Sequence, residues 1–402
     1  MLNVITIEEA IEIIAQTQGD GSPVSTQENR PSVLSVGRVL HEDIIATEDI
    51  PGFNRSTVDG YAVISSDTFG CSESTEALLT LKGEVLMGQS ADISLIKGAC
   101  AVVSTGGELP SGADAVVMLE HTEDYGNDMI GIQKPVAPGN NVIFKGDDVK
   151  AGESVLTSGT ILKPHDIGIL SALGHSEVTV RAKPKVAIIS TGDELVEVTE
   201  TPKRGQIRDV NTPMLISAVT TYGAQAQSLG IIKDDEAAIR AAVKQAIKES
   251  DIVLISGGSS AGTRDLTARI IEAEGELIFH GIAMKPGKPT IFGKIYGKPI
   301  IGLPGHPVAA YFVTHLIIRP LIANYLGAKL KDITTTAKIS ESISSNHGRT
   351  EYIPVKLEND VAIPIKSKSS LITSLADIDG YISIPRDSEG LAKGEEVKVD
   401  FI

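Results

Sequence analysis

Three short loops carry the residues best suited to chemistry. Ser190-Thr191-Gly192-Asp193-Glu194-Leu195 follows the apolar run Val186-Ala187-Ile188-Ile189. Gly257-Gly258-Ser259-Ser260-Ala261-Gly262, with Asp265 three residues on, follows Ile252-Val253-Leu254-Ile255-Ser256. Gly302-Leu303-Pro304-Gly305-His306-Pro307 follows Pro299-Ile300-Ile301. A helical pattern follows each loop. Glycines let a ligand approach the backbone, and helix amino termini attract anions. Asp193 and Glu194 suit a divalent cation held through one carboxylate plus phosphates, or simply favour a helix start. Asp265 either caps the helix after the glycines or reaches a metal, and Asp234-Asp235 before Glu236 poses the same choice. Lys285-Pro286-Gly287-Lys288-Pro289 sets two lysines in a stiff loop fit for a phosphate-like anion. It is not a Walker A motif, because Pro289 stands where Ser or Thr is needed. His306 reads as a packed or capping histidine, and Asp59-Gly60 as an Asx-type turn or a cleft-facing acid.

Such loops need a scaffold that gathers them. Residues 185–325 alternate strand and helix patterns, which implies right-handed βαβ units and a parallel sheet. Ligands bind at the carboxyl edge of such a sheet, where all three loops would lie. Around this unit the pattern changes. Residues 6–17 read as an amphipathic helix opened by a Thr6/Glu9 capping box. Residues 18–32 read as loop and 33–46 as strand. From 47 to 145 short strands alternate with Gly, Pro and Asp, indicating a small β domain. Residues 146–182 hold short strands and one helix, 163–173, closed by Gly174. Residues 330–402 return to short strands, as in a terminal barrel or sandwich.

The chain has 402 residues, more than one core usually covers, so two to four domains are expected. A net charge of −16 opposes a nucleic-acid or anionic-membrane surface. Aromatics at 4% and no tryptophan argue against stacking platforms for single strands. Cys71 and Cys100 form no CxxC pair, which fits a reduced, cytoplasmic setting. The amino terminus lacks the pattern of a signal peptide, and no apolar run approaches the ~18 residues of a membrane span. No HxH, HExxH or CxxC array points to zinc.

Taken together, the segments resemble one family, the molybdopterin molybdenumtransferases (bacterial MoeA proteins and the gephyrin E domain). The resemblance runs almost end to end. It rests on Ser56-x-x-Asp59-Gly60-Tyr61-Ala62, Thr105-Gly106 with Gly112-Ala113-Asp114-Ala115-Val116-Val117, Gly146-Asp147-Asp148, and Ser190-Thr191-Gly192-Asp193-Glu194-Leu195. It continues through Gly257-Gly258-x-Ser260-x-Gly262-x-x-Asp265, the Lys285–Pro289 loop, and Gly302-Leu303-Pro304-Gly305-x-Pro307. The family pattern has Asn where His306 stands.

The resemblance implies a multidomain α/β plus β protein. Its central doubly wound α/β domain, 183–328, would bind molybdopterin. A discontinuous N-terminal domain would comprise 1–46 and 147–182, with an inserted β domain at 47–146 and a C-terminal β-barrel at 329–402. It implies a Mg²⁺-dependent enzyme that inserts molybdate into adenylylated molybdopterin and releases AMP. It also implies a homodimer, with the molybdopterin adenylyltransferase as a further partner. By similarity, Asp59, Asp148, Glu194, Asp234 and Asp265 form the catalytic carboxylate set, with Asp59 contributed across the dimer. Asp59, Glu194 and Asp265 would hold the metal. Lys285, Lys288, Pro304, Arg349 and Ser370 would bind molybdate, and Thr105, Ser190, Gly257, Gly258 and Ser260 the nucleotide or pterin phosphate. Two rival readings stand beside it: a molybdopterin adenylyltransferase, whose doubly wound domain resembles the central one here but which lacks the extra β domains, and a non-catalytic scaffold of the gephyrin kind on the same fold.

Overall fold

The computed structural model describes residues 4–16, 26–257, 261–366 and 368–402, without the side chains of 261–265. The apolar runs before the three loops are neighbouring parallel strands. Lys185–Thr191 lies between Gln225–Ile232 and Ile252–Gly257, and Ile252–Gly257 pairs with Lys298–Leu303. Antiparallel strands Ile291–Ile295 and Glu276–His280 complete a six-stranded sheet.

The strands are apolar on both sides because helices cover both faces. Val186, Ile188, Leu254 and Ile301 pack with Leu215 and Val219 of helix Asn211–Thr221 and with Phe312 of helix Pro307–Val313. The alternate residues Ala187, Ile189, Val253 and Ile255 pack with Ile239, Val243 and Ile247 of helix Glu236–Glu249 and with Ile270 of helix Ala261–Glu274. The result is a three-layer, doubly wound α/β domain. Ala10 and Ile14 of the N-terminal helix Ile7–Gln16 join the first of these cores. Its capping box forms as expected: the Thr6 N–H donates to Glu9 Oε2 at 2.7 Å, and the Glu9 N–H to Thr6 Oγ1 at 3.1 Å.

Strands on either side build the β units. Ala115–Met118, Gly60–Val63, Ala99–Val103, Ala77–Val85, Met129–Ile132 and Thr122–Asp124 form one six-stranded sheet in that order. At the C-terminal end Thr350–Glu358, Val361–Pro364, Thr334–Ile339, Glu396–Phe401 and Gly380–Ile384 pair in turn. Gly380–Ile384 then pairs back on Thr350–Glu358, closing a five-stranded barrel filled by Val355, Ile382 and Val399.

Two expectations fail near the amino terminus. Gln27–Pro31, read as loop, is a strand paired with Glu177–Arg181. Residues 33–46, read as strand, hold a 3₁₀ turn at Ser32–Leu34 and only a two-residue strand at Ile44–Ile45. The Ser35 hydroxyl donates to the Pro31 carbonyl at 2.9 Å, closing the turn locally where a strand would need a partner.

Helices Pro307–Val313 and Arg319–Leu326 join through a π turn, Thr314–Ile318, into one continuous helical run. By length and composition that run could cross a membrane, although the sequence shows no unbroken apolar stretch of that length because His315 and Arg319 interrupt it. Its most apolar window is 67% buried against the sheet and barrel, so it is a core helix. His315 is buried there, edge-on to Tyr222 and Tyr381. Burial, aided by Arg319, lowers its pKa to about 4 from 6.5. The unfolded chain therefore takes a proton below pH 6.5 that the folded chain refuses. The associated stability is intact above that pH and is lost as pH falls towards 4, by roughly 3 kcal/mol. A His315→Gln variant should show a shallower decline of Tm between pH 7 and 4, and an unchanged slope would contradict this.

Candidate active site

The three loops meet at the carboxyl edge of the parallel sheet and border a cleft of about 640 Å³. Thr191 and Glu194 enter from the first loop, Gly257 from the second, and Gly305 and His306 from the third. A Cβ at Gly257 would overlap Thr191 Oγ1, so only glycine lets these two strand ends lie so close. No helix begins at Asp193-Glu194. The chain first makes a short parallel pair, Leu195–Val196 with Ile207–Arg208, before helix Asn211–Thr221. The two acids are thus not helix-start residues.

The Asp234-Asp235 choice is resolved by hydrogen bonding. Asp235 Oδ1 accepts from the Ala238 N–H at 2.9 Å and caps helix Glu236–Glu249. Asp234 is left beside the other acids, with its N–H donating to Asp193 Oδ1 at 3.4 Å and its own buried Oδ1 without a partner among the described residues. Burial and the neighbouring charges of Asp193 and Glu194 push its pKa up, partly offset by the Thr191 hydroxyl. An acid whose folded pKa is raised weakens the fold once pH exceeds its unfolded value. Asp234→Asn should therefore raise Tm at pH 7, with the gain shrinking as pH falls below the usual carboxylate range. A lowered Tm at pH 7 would contradict this reading.

Asp265 does not cap the following helix, because that helix begins at Ala261 and places it in the second turn. Its side chain, like Gly258 and Ser260, lies outside the described residues. Ser190 is buried beneath the cleft, 2.7 Å from Thr212 Oγ1. Thr212 donates to Asp209 Oδ2 at 2.6 Å, so the Ser190 proton points to Thr212.

A second cleft, of about 740 Å³, opens between the Lys285–Pro289 loop and the barrel. Lys285, Lys288, Pro304 and Arg349 border it together with Lys366. Met284–Lys285 pairs in parallel with Thr350 and Glu351 at the start of a barrel strand. Lys285 Nζ lies 2.6 Å from Glu351 Oε1, and the Ser345 hydroxyl donates to Glu351 Oε2 at 2.9 Å. His306 borders both clefts. It is exposed, its side chain does not cap helix Pro307–Val313, and its Nδ1 lies 2.8 Å from Ser369 Oγ. It is therefore neither packed nor capping, and it ties the loop to the barrel side. Ser370 borders the first, acidic cleft and Ser369 the lysine-lined one.

The remaining predicted residues stand apart. Asp59 accepts from the Thr105 N–H at 2.8 Å and hydroxyl at 3.2 Å on the exposed side of the six-stranded β sheet. Asp148 is exposed, its N–H bonded to the Ile50 carbonyl at 3.0 Å. Asp59, Thr105 and Asp148 border neither cleft of their own chain.

Sequence reasoning missed Glu351, Asp209 and Asn211. Asp209 is buried, and its Oδ1 accepts from the Asn211 and Thr212 N–H groups at 3.1 Å each, satisfying the start of that helix. An acid three residues before Thr212-Pro213 was the available signal. Asp209→Ala removes these bonds and should destabilise the protein by about 2–3 kcal/mol, read as a shifted denaturant midpoint.

The architecture defines a class: a doubly wound α/β domain whose loop edge suits anions, joined to β domains on both sides. Three family models match in order: "MoeA N-terminal region (domain I and II)" over 5–174, "Probable molybdopterin binding domain" over 187–324, and "MoeA C-terminal region (domain IV)" over 336–402. The chain is 31% identical to molybdopterin molybdenumtransferases of Staphylococcus aureus (99% of this chain, 95% of the relative) and of Bacillus subtilis (98% and 93%). It superposes on the crystal structure of a molybdopterin biosynthesis moeA protein from Pyrococcus horikoshii with a TM-score of 0.89 at 38% identity, covering 99% of this chain and 100% of that one. The chain belongs to the MoeA family of molybdopterin molybdenumtransferases.

Proposed function

We propose that the chain inserts molybdate into adenylylated molybdopterin and releases AMP. One observation carries this reading: an acidic, glycine-edged cleft and a lysine-lined cleft adjoin at His306. The first suits a phosphate chain with its cation. The second suits a tetrahedral dianion such as molybdate.

Mg²⁺ fits the acidic cleft. Among the described residues no group of three or more His, Cys, Asp or Glu side chains is arranged to hold a metal alone. Mg²⁺ does not need one, because it takes one or two carboxylates and completes its shell with water and substrate phosphates. Glu194 at the cleft edge, with Asp193 and the orphaned Oδ1 of Asp234 beside it, offers hard oxygen donors of the right kind. When bound, the ion would offset phosphate charge and polarise the phosphorus centre. Thr191 and the bare backbone at Gly257 accommodate the phosphates. Lys285, Lys288 and Arg349 hold molybdate by charge-assisted hydrogen bonds.

Asp59 and Thr105 enter this account through a second copy of the chain. They are exposed and border neither cleft of their own subunit, so a homodimer would present them across the interface. Such a dimer in the cytoplasm, taking its substrate from a molybdopterin adenylyltransferase, completes the reading. The test is to mix purified chain, adenylylated molybdopterin, molybdate and Mg²⁺. AMP release and activation of a cofactor-free molybdoenzyme, both dependent on the chain, are expected. A folded chain that yields neither would overturn the proposal.

A further inference from the structure

Asn211 is 7% exposed and borders the acidic cleft. Its side-chain amide donates to Ser256 Oγ at 2.8 Å and to the Gly305 carbonyl at 3.0 Å. Both amide protons are therefore spent, one on the end of strand Ile252–Gly257 and one on the loop at Gly305. The orientation is determined, since a flipped amide would set Oδ1 against the Gly305 carbonyl. Oδ1 is buried and has no hydrogen-bond partner among the described residues. The residue's own N–H is held by Asp209 at 3.1 Å, so the side chain cannot easily swing to find one. A buried acceptor left unpaired is unfavourable, and the site recovers that loss only by meeting a donor.

We propose that Asn211 Oδ1 is the acceptor that reads an N–H of the bound heterocycle, and that Asn211 thereby selects the ligand. This rests on the function proposed above. The ligand chemistry is an amine or ring amide N–H on a nitrogen heterocycle, which both adenine and pterin carry. A site with one fixed, desolvated acceptor accepts such a group and disfavours an isostere that presents a carbonyl or no hydrogen there. The glutamate and aspartates nearby serve the phosphate end and do not substitute for a neutral acceptor.

Two probe pairs separate the sources. The first pairs AMP with purine riboside monophosphate, which lacks the 6-amino group. The second pairs a simple pterin with its 3-N-methyl derivative, which lacks the ring N–H. Dissociation constants are measured by calorimetry on the whole chain and on Asn211→Leu. In one pair the wild-type chain should prefer the N–H-bearing member about tenfold, and Asn211→Leu should bring that ratio close to one. A merely structural role would weaken both members equally and leave the ratio intact. Asn211→Asp, which keeps the oxygen but loses both donors, guards against a folding defect by retaining part of the ratio. Equal ratios for wild type and variant in both pairs would overturn the inference alone. A folded wild-type chain that binds none of the four probes would overturn the functional reading beneath it.

Discussion

Glu194→Gln should lower the rate of AMP release by about a hundredfold while leaving the fold intact. Glu194 is half-buried at the cleft edge, and the exchange keeps its shape while removing its charge. The acids near it are arranged against their own stability. Asp234 is pushed towards the neutral form by burial and by Asp193 and Glu194. Charge gathered in this way would be offset by a bound cation. The same logic makes Asp234→Asn slower by a similar factor but more heat-stable at pH 7. A steady-state assay of AMP release, run beside thermal melts, checks both halves. Full activity in either variant would remove that acid from the reaction.

Lys285→Ala and Lys288→Ala should raise the KM for molybdate by roughly ten- to a hundredfold each, with a smaller change in kcat. The two should not be equal. Lys285 neutralises Glu351, whose side chain is only 14% exposed. Removing the lysine leaves that carboxylate unpaired at the wall of an anion site, where it repels the incoming dianion. Lys285→Ala is therefore the more damaging change, and Glu351→Gln in the same chain should restore part of the affinity. Titration with molybdate across the three variants decides this. Equal effects, or no rescue, would mean that the Lys285–Glu351 pair does not face the bound anion.

The scaffold of the site was legible because burial on both sheet faces demands unbroken apolar strands. Ile188-Ile189 and Val253-Leu254-Ile255 announce themselves, and the glycine at 257 marks where two strand ends come close. Local chemistry was legible too, as at the Thr6/Glu9 box. What was missed depends on distant partners. Gln27–Pro31 is polar and exposed on alternate residues, and it is a strand only because Glu177–Arg181 lies beside it; Asn29 Nδ2 donates to Glu177 Oε2 at 2.8 Å. Val33, Leu34 and Val36 read as strand from their side chains, yet each is at least half exposed in a serine-closed turn.

The site divides along the same line. Lys285 and Lys288 stood out from a proline-stiffened loop, whereas Glu351 becomes visible only when a barrel strand pairs with that loop. Asp234 could not be told from Asp235 by spacing, and only the Ala238 N–H shows that Asp235 is the helix cap. Asp209 and Asn211 sit in a segment with no periodicity, and their roles follow from contacts with Thr212, Ser256 and Gly305.

The most direct measurement is a crystal structure of the chain with molybdate and adenylylated molybdopterin, located by the anomalous signal of molybdenum. The metal should lie within hydrogen-bond reach of Lys285, Lys288 and Arg349, with the phosphates in the adjoining cleft beside Glu194 and Gly257. Molybdenum bound on an unrelated surface, with both clefts vacant at saturating ligand, would contradict the account.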